Sequence, residues 1–144
     1  MTRHTVTFVA QYIEEQRAKY SPLSVPLAAS QKAGLRNFFS DLLLDETRIV
    51  VLDGERVTEP GFYPTLREIG FENLPDILNM AAITLSDVVV SHTPFTTGLL
   101  FHELAHVEQY RQLGIARFAD LYIRGFLSGG IRHDTVGPMR VCAR

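Results

Sequence analysis

The stretch from Pro94 to Leu113 most constrains how this chain can fold, because it is an apolar helix pattern with polar groups set inside it. Leu99, Leu100, Phe101, Leu104, Ala105, Val107 and Tyr110 recur at the spacing of an α-helix with a buried face. Among them stand His102, Glu103 and His106. Burying three polar groups without partners is costly, so a fold built around this helix has to supply those partners. Thr93-Pro94 offers an N-cap and a proline for the first helical position, and Gly114 a C-terminal stop. The spacing predicts a helix over 94–113.

A metal ion is one partner that fits this pattern. His102 and His106 are four residues apart, so their side chains lie one above the other on one helix face. Two imidazoles so placed can close on one ion about 2 Å from each nitrogen. Zinc lowers the pKa of a bound water to about 7, and a neighbouring carboxylate can then take its proton. The five residues His102-Glu103-Leu104-Ala105-His106 thus contain two candidate Zn²⁺ ligands, His102 and His106, and a candidate catalytic base, Glu103.

Composition narrows the class. The chain has 144 residues, 46% hydrophobic and 21% charged, which suits one globular domain. A net charge of −2 gives no basic footprint for nucleic acid or an anionic membrane. The single cysteine, Cys142, excludes an internal disulfide and a cysteine-based zinc ribbon, and is expected as a free thiol on the C-terminal tail. No signal-like or membrane-spanning apolar run is read, so a cytoplasmic location is expected.

The order of elements predicts an α+β domain. Residues 5–20 read as an amphipathic helix, with Val6, Val9 and Ile13 on one side. Pro22 and Pro26 break the chain, and 27–44 read as a second helix. Arg48–Leu52, Ala82–Leu85 and Val88–Val90 read as strands, the first ended by Asp53-Gly54. Between them, Pro60-Gly61 marks a turn and Pro64 opens a short helix. A last helix is expected from Ile115 to Leu127, with Gly129-Gly130 as its break. The strand before the histidine helix is expected either to cover the core or to offer an edge for an extended peptide.

Phe101-His102-Glu103-Leu104-Ala105-His106-Val107-Glu108-Gln109-Tyr110-Arg111-Gln112-Leu113-Gly114 resembles the H-E-L-x-H-V-x-Q-Y-x-x-L-G helix of small bacterial zincin-like proteins, candidate gluzincin-type metallopeptidases mostly of unknown function. Leu44–Val50, Phe62-Tyr63-Pro64 and Leu121–Leu127 are similar to segments of the same family, so that the resemblance covers roughly 35–130. It implies a small zincin-like domain over 1–130: helices, a short mostly antiparallel sheet and a central histidine helix. It also implies zinc held by His102 and His106, with Glu103 as base.

A catalytic zinc takes three protein ligands and leaves one place to water. The family's third ligand is a carboxylate in a pattern like Y-x-x-I-P-L-E-x-x-A-Y, which Ile131–Arg144 does not match. A one-base shift of reading frame at Ile131 permits a close fit, so the expectation is an irregular tail, 131–144, that is frameshifted or truncated. In the chain as it stands Asp134 is the leading third ligand, with His133 and Asp120 as alternatives. His92 and His4 read as loop and terminal residues. Tyr110 is expected as a packed aromatic, Tyr122 and Arg124 as helix-packing and surface residues with oxyanion stabilisation as the alternative, and Asp45, Glu46 and Arg48 as local order around the core. The expected function is zinc-dependent peptide-bond hydrolysis on a peptide or protein substrate, without nucleic acid or membrane. The alternative is a catalytically impaired zincin-like module, a pseudoenzyme or truncated product, that binds zinc or a protein partner. Neither the substrate nor the oligomeric state is readable.

Overall fold

The computed structural model describes residues 2–70 and 74–127, with side chains described for 4–70 and 74–124. It is an α+β domain in which helices flank a four-stranded mixed sheet. In chain order the elements are α1 (Thr2–Tyr20), β1 (Val25–Pro26), α2 (Ala29–Leu35), α3 (Asp41–Glu46), β2 (Arg48–Val51), α4 (Tyr63–Glu68), β3 (Ala82–Leu85), β4 (Val88–Ser91) and α5 (Thr97–Leu127). None of the described helices is long and apolar enough to cross a membrane.

The expected helix over 27–44 is two helices. Phe38 N–H bonds to Leu35 O at 3.0 Å and closes a turn, and Ser40 Oγ then accepts from Leu43 N–H at 3.1 Å as an N-cap. A capping serine inside the apolar pattern thus restarts the helix as α3. The N-cap of α5 also moves. Thr96 Oγ1, rather than Thr93, takes Leu99 N–H at 3.0 Å, so the helix begins at Thr97.

The sheet order is β1-β2-β4-β3. β2 runs parallel to β4, while β1–β2 and β3–β4 are antiparallel. β4 is therefore interior and all four of its residues are buried. The strand directly before α5 offers no free edge, and the edge near the helix belongs to β3 instead. The β3–β4 hairpin turns through Ser86, at φ 64°, and Asp87, whose carboxylate is gripped by Arg17 of α1 at 2.6 and 3.1 Å.

Side-chain alternation divides the core in two. Leu85, Val88 and Val90 join Tyr12 and Ile13 of α1 in one cluster. Ile49 and Val89 point to the other face, against Leu35 of α2, Leu43 and Leu44 of α3, and Leu100, Leu104 and Val107 of α5. Of the three residues expected to order this region, Glu46 pairs with Arg111 across α3 and α5 at 2.5 Å, Asp45 pairs with Lys32 at 2.9 Å, and Arg48 bonds Ser24.

Gly114 does stop the histidine helix, but the chain turns and continues as helix at once. Its φ of 79° and ψ of 165° lie where glycine is strongly favoured. The turn carries Phe118 and Ala119 into the cluster around α1. A Cβ at 114 would meet nothing within 4 Å, so Gly114→Ala carries only backbone strain, about 1–3 kcal/mol. We expect thermal unfolding of that variant about 5 °C below wild type.

Candidate functional site

His102, Glu103 and His106 lie on the face of α5 that looks toward β3. Glu103 and His106 are buried, at 5% and 2% exposure, and His102 is half-buried. The two imidazoles stand edge to face with ring centroids 5.6 Å apart. One tetrahedral ion about 2 Å from a nitrogen of each ring places the ring centres roughly 5–6 Å apart, so the pair has the right separation.

His106 is also in the right protonation state. Gln109 Oε1 lies 2.8 Å from its Nδ1, and an amide oxygen can only accept, so Nδ1 carries the hydrogen and Nε2 the lone pair. Such a hydrogen bond behind a ligand imidazole fixes its tautomer and ring orientation. Burial pushes the imidazole down to about 4, with Gln109 opposing and His102 adding to the shift, so His106 is neutral at pH 7.

Glu103 is held from the sheet. Thr84 Oγ1 donates to Glu103 Oε1 at 2.8 Å and also lies 3.2 Å from the Glu103 carbonyl oxygen. Burial raises the carboxyl to about 7, against the opposing pull of the Thr84 bond. A base with a pKa near the working pH is the condition for efficient proton transfer. Tyr110 is buried and stacked on Phe118 at 3.9 Å, as expected of a packed aromatic. Its hydroxyl also donates to Thr84 O at 3.3 Å, so the helix grips the residue that holds Glu103.

These residues open onto a cavity of about 450 Å³. One wall is β3 and α5, another is Val9, Tyr12 and Ile13 of α1, and a third comes from the 60–66 and 74–80 segments. Tyr122 lines the cavity, whereas Arg124 is exposed and pairs with Asp120 at 2.9 Å. That pairing places Asp120 on the outer side of α5 rather than at the histidines. His92 is a latch between loops: its Nε2 accepts from Val57 N–H at 3.0 Å and its Nδ1 lies 2.7 Å from Met80 O. Asp134 and His133 lie outside the described residues, as does Cys142. Among the described residues no cluster of three or more His, Cys, Asp or Glu side chains forms a metal site.

Thr84, Gln109 and the α1 wall escaped the sequence reading. Gln109 carried a usable signal, being three residues after His106 on the same helix face. Thr84 carried a weaker one, as the lone hydroxyl in Ala82-Ile83-Thr84-Leu85. Nothing local marks Val9 or Ile13, since only the tertiary fold brings α1 to this site. No family model, curated protein or solved structure matches the chain.

Proposed function

We propose that this protein is a zincin-like, zinc-dependent hydrolase of peptide bonds, with His102 and His106 as metal ligands and Glu103 as the catalytic base. The observation that carries the reading is the joint state of the three side chains. Two imidazoles have ligand separation, one of them is kept neutral by burial and oriented by its Nδ1 contact with Gln109 Oε1, and a carboxyl of raised pKa in the metal-free chain stands between them in sequence and opens onto the same cavity.

Zinc, when bound, supplies a lowered pKa for water and polarisation of the carbonyl under attack. The chain's own residues do the rest. Glu103 accepts a proton from the attacking water and returns it to the leaving amine. Thr84 holds the Glu103 carboxyl at the edge of β3 and limits its rotation. The apolar walls exclude water, which strengthens each charge interaction inside. Asp134 is proposed as the third ligand only by analogy, as a carboxylate that follows the next helix in sequence, since the tail does not match the family's own third-ligand pattern.

The test is peptide hydrolysis by the full chain after metal removal with EDTA. We expect no cleavage by the stripped chain and recovery on adding about one equivalent of zinc. Cleavage that survives stripping, or absence of cleavage with zinc bound at His102 and His106, overturns the reading.

A further inference from the structure

The cavity beside Glu103 is larger and more apolar than proton transfer requires. Apart from tyrosines, the ionisable groups lining it among the described residues are His102, Glu103 and His106, all on its α5 side. Two of its phenols are turned into the protein: the Tyr12 hydroxyl donates to Thr58 O and the Tyr63 hydroxyl to Pro75 O, the latter at 3.0 Å. The wall facing α5 therefore presents mainly hydrocarbon from Val9, Ile13, Leu66, Ile77 and Met80. A charged group entering there would lose its water and gain no partner, whereas an apolar group gains in proportion to the area it buries.

The edge of β3 says what carries that apolar group. His92 N–H bonds to Ala81 O at 2.7 Å across the hairpin, so Ala81, Ile83 and Leu85 aim their backbone groups at β4. By alternation Ala82 and Thr84 aim theirs outward, along the cavity that both residues line. Tyr110 takes the outward Thr84 carbonyl, which leaves the outward Thr84 N–H and the Ala82 backbone groups as those an incoming backbone can meet along β3. An extended peptide uses such groups and a hydrocarbon chain does not.

From these observations we propose that the cavity walled by α1 is the specificity pocket of the site, and that it takes one bulky, uncharged apolar side chain of a peptide lying along β3. This rests on the hydrolase reading for its catalytic meaning, but the binding itself does not need zinc. Specificity is then set by the N-terminal helix, far in sequence from the histidines.

Binding and cleavage are measured separately. Binding uses the full chain stripped with EDTA and fluorescein-labelled peptides identical except for one central residue, Phe, Leu, Ala or Asp, read by polarisation. Cleavage of the same peptides uses the zinc-loaded chain. The Phe peptide is expected to bind roughly 30-fold more tightly than the Ala peptide, with Leu close behind and Asp weakest. Val9→Trp fills the pocket and should abolish the Phe-over-Ala preference while Ala-peptide binding persists. Val9→Ala widens it and should keep the preference, which guards against misfolding of the larger variant. Selective binding without zinc-dependent cleavage upholds the pocket and removes the hydrolase reading. Cleavage with no side-chain preference, or a preference unmoved by Val9→Trp, overturns the pocket and leaves the hydrolase. Neither binding preference nor cleavage overturns both.

Discussion

Glu103→Gln is expected to lower peptide hydrolysis about 10³-fold while leaving zinc content unchanged. Glutamine is nearly isosteric, and its side-chain oxygen still accepts the Thr84 hydroxyl now 2.8 Å from Glu103 Oε1, so the packing at the edge of β3 is preserved. Only the proton acceptor is lost, and a positioned base is worth about 10²–10⁴ in rate. Steady-state hydrolysis beside metal analysis of the purified variant measures both quantities. Full activity in the variant would remove Glu103 from the chemistry. A chain that binds zinc and a protein partner equally with Glu or Gln at 103, and cleaves nothing in either form, would be a binding module rather than an enzyme.

The same substitution has an effect on stability whose sign follows from burial. In the metal-free protein the carboxyl is raised from 4.5 to about 7, so the folded state holds its proton where the unfolded state has released it. Glu103 alone then costs the wild-type chain stability as pH rises from about 4.5 through about 7, on the order of 3 kcal/mol, while buried His106, lowered from 6.5 to about 4, contributes a gain of opposite sign as pH rises from about 4 to 6.5. The glutamine variant has no such proton to release. Under the remaining His106 shift its denaturation midpoint should rise with pH from about 4 to 6.5, where the wild type is flatter, and should lie higher than wild type at pH 7.5, as read by chemical denaturation in EDTA.

The second large effect is expected at His106. His106→Ala should reduce zinc from about one equivalent per chain to near zero, because losing one of three protein ligands leaves too few to hold the ion through dialysis. Metal analysis after dialysis against a small excess of zinc is the measurement. Gln109→Ala is the instructive partner variant: it removes the acceptor 2.8 Å from His106 Nδ1 but keeps both imidazoles. Loss of a bond behind a metal ligand costs about 10–100-fold in affinity, far less than loss of the ligand itself. Zinc unchanged in His106→Ala would place the ion elsewhere.

Much of the site was legible because it lies within one helix. The spacing of His102, Glu103 and His106 depends on helical geometry alone, and Leu100, Leu104 and Val107 mark the buried face that fixes the helix rotation. The strands at 48–51, 82–85 and 88–91 were readable as apolar runs between turn residues. Their order was not, because a parallel β2–β4 pairing joins segments whose register no local pattern encodes. Which of the two expected roles the strand before α5 takes was therefore open in the sequence: β4 covers the core, and β3 lies outside it at the edge of the sheet. Ser40 was missed as a cap because one hydroxyl in an apolar pattern reads as a surface position until its bond to Leu43 N–H is seen. The partners of the buried glutamate and histidine follow the same division, since Gln109 is local to the helix and Thr84 is reached only through the fold.

The α1 wall also ties occupancy to folding. The cavity is closed by residues 5–13 on one side and 98–123 on the other, segments near opposite ends of the described chain. No partly folded form that leaves α1 undocked contains it, so anything held there binds only the complete fold. By mass action a ligand at 100 times its Kd then adds about 2.7 kcal/mol to the free energy of unfolding. The melting temperature of this protein thus doubles as a meter of what fills the cavity, whether or not any bond is cut.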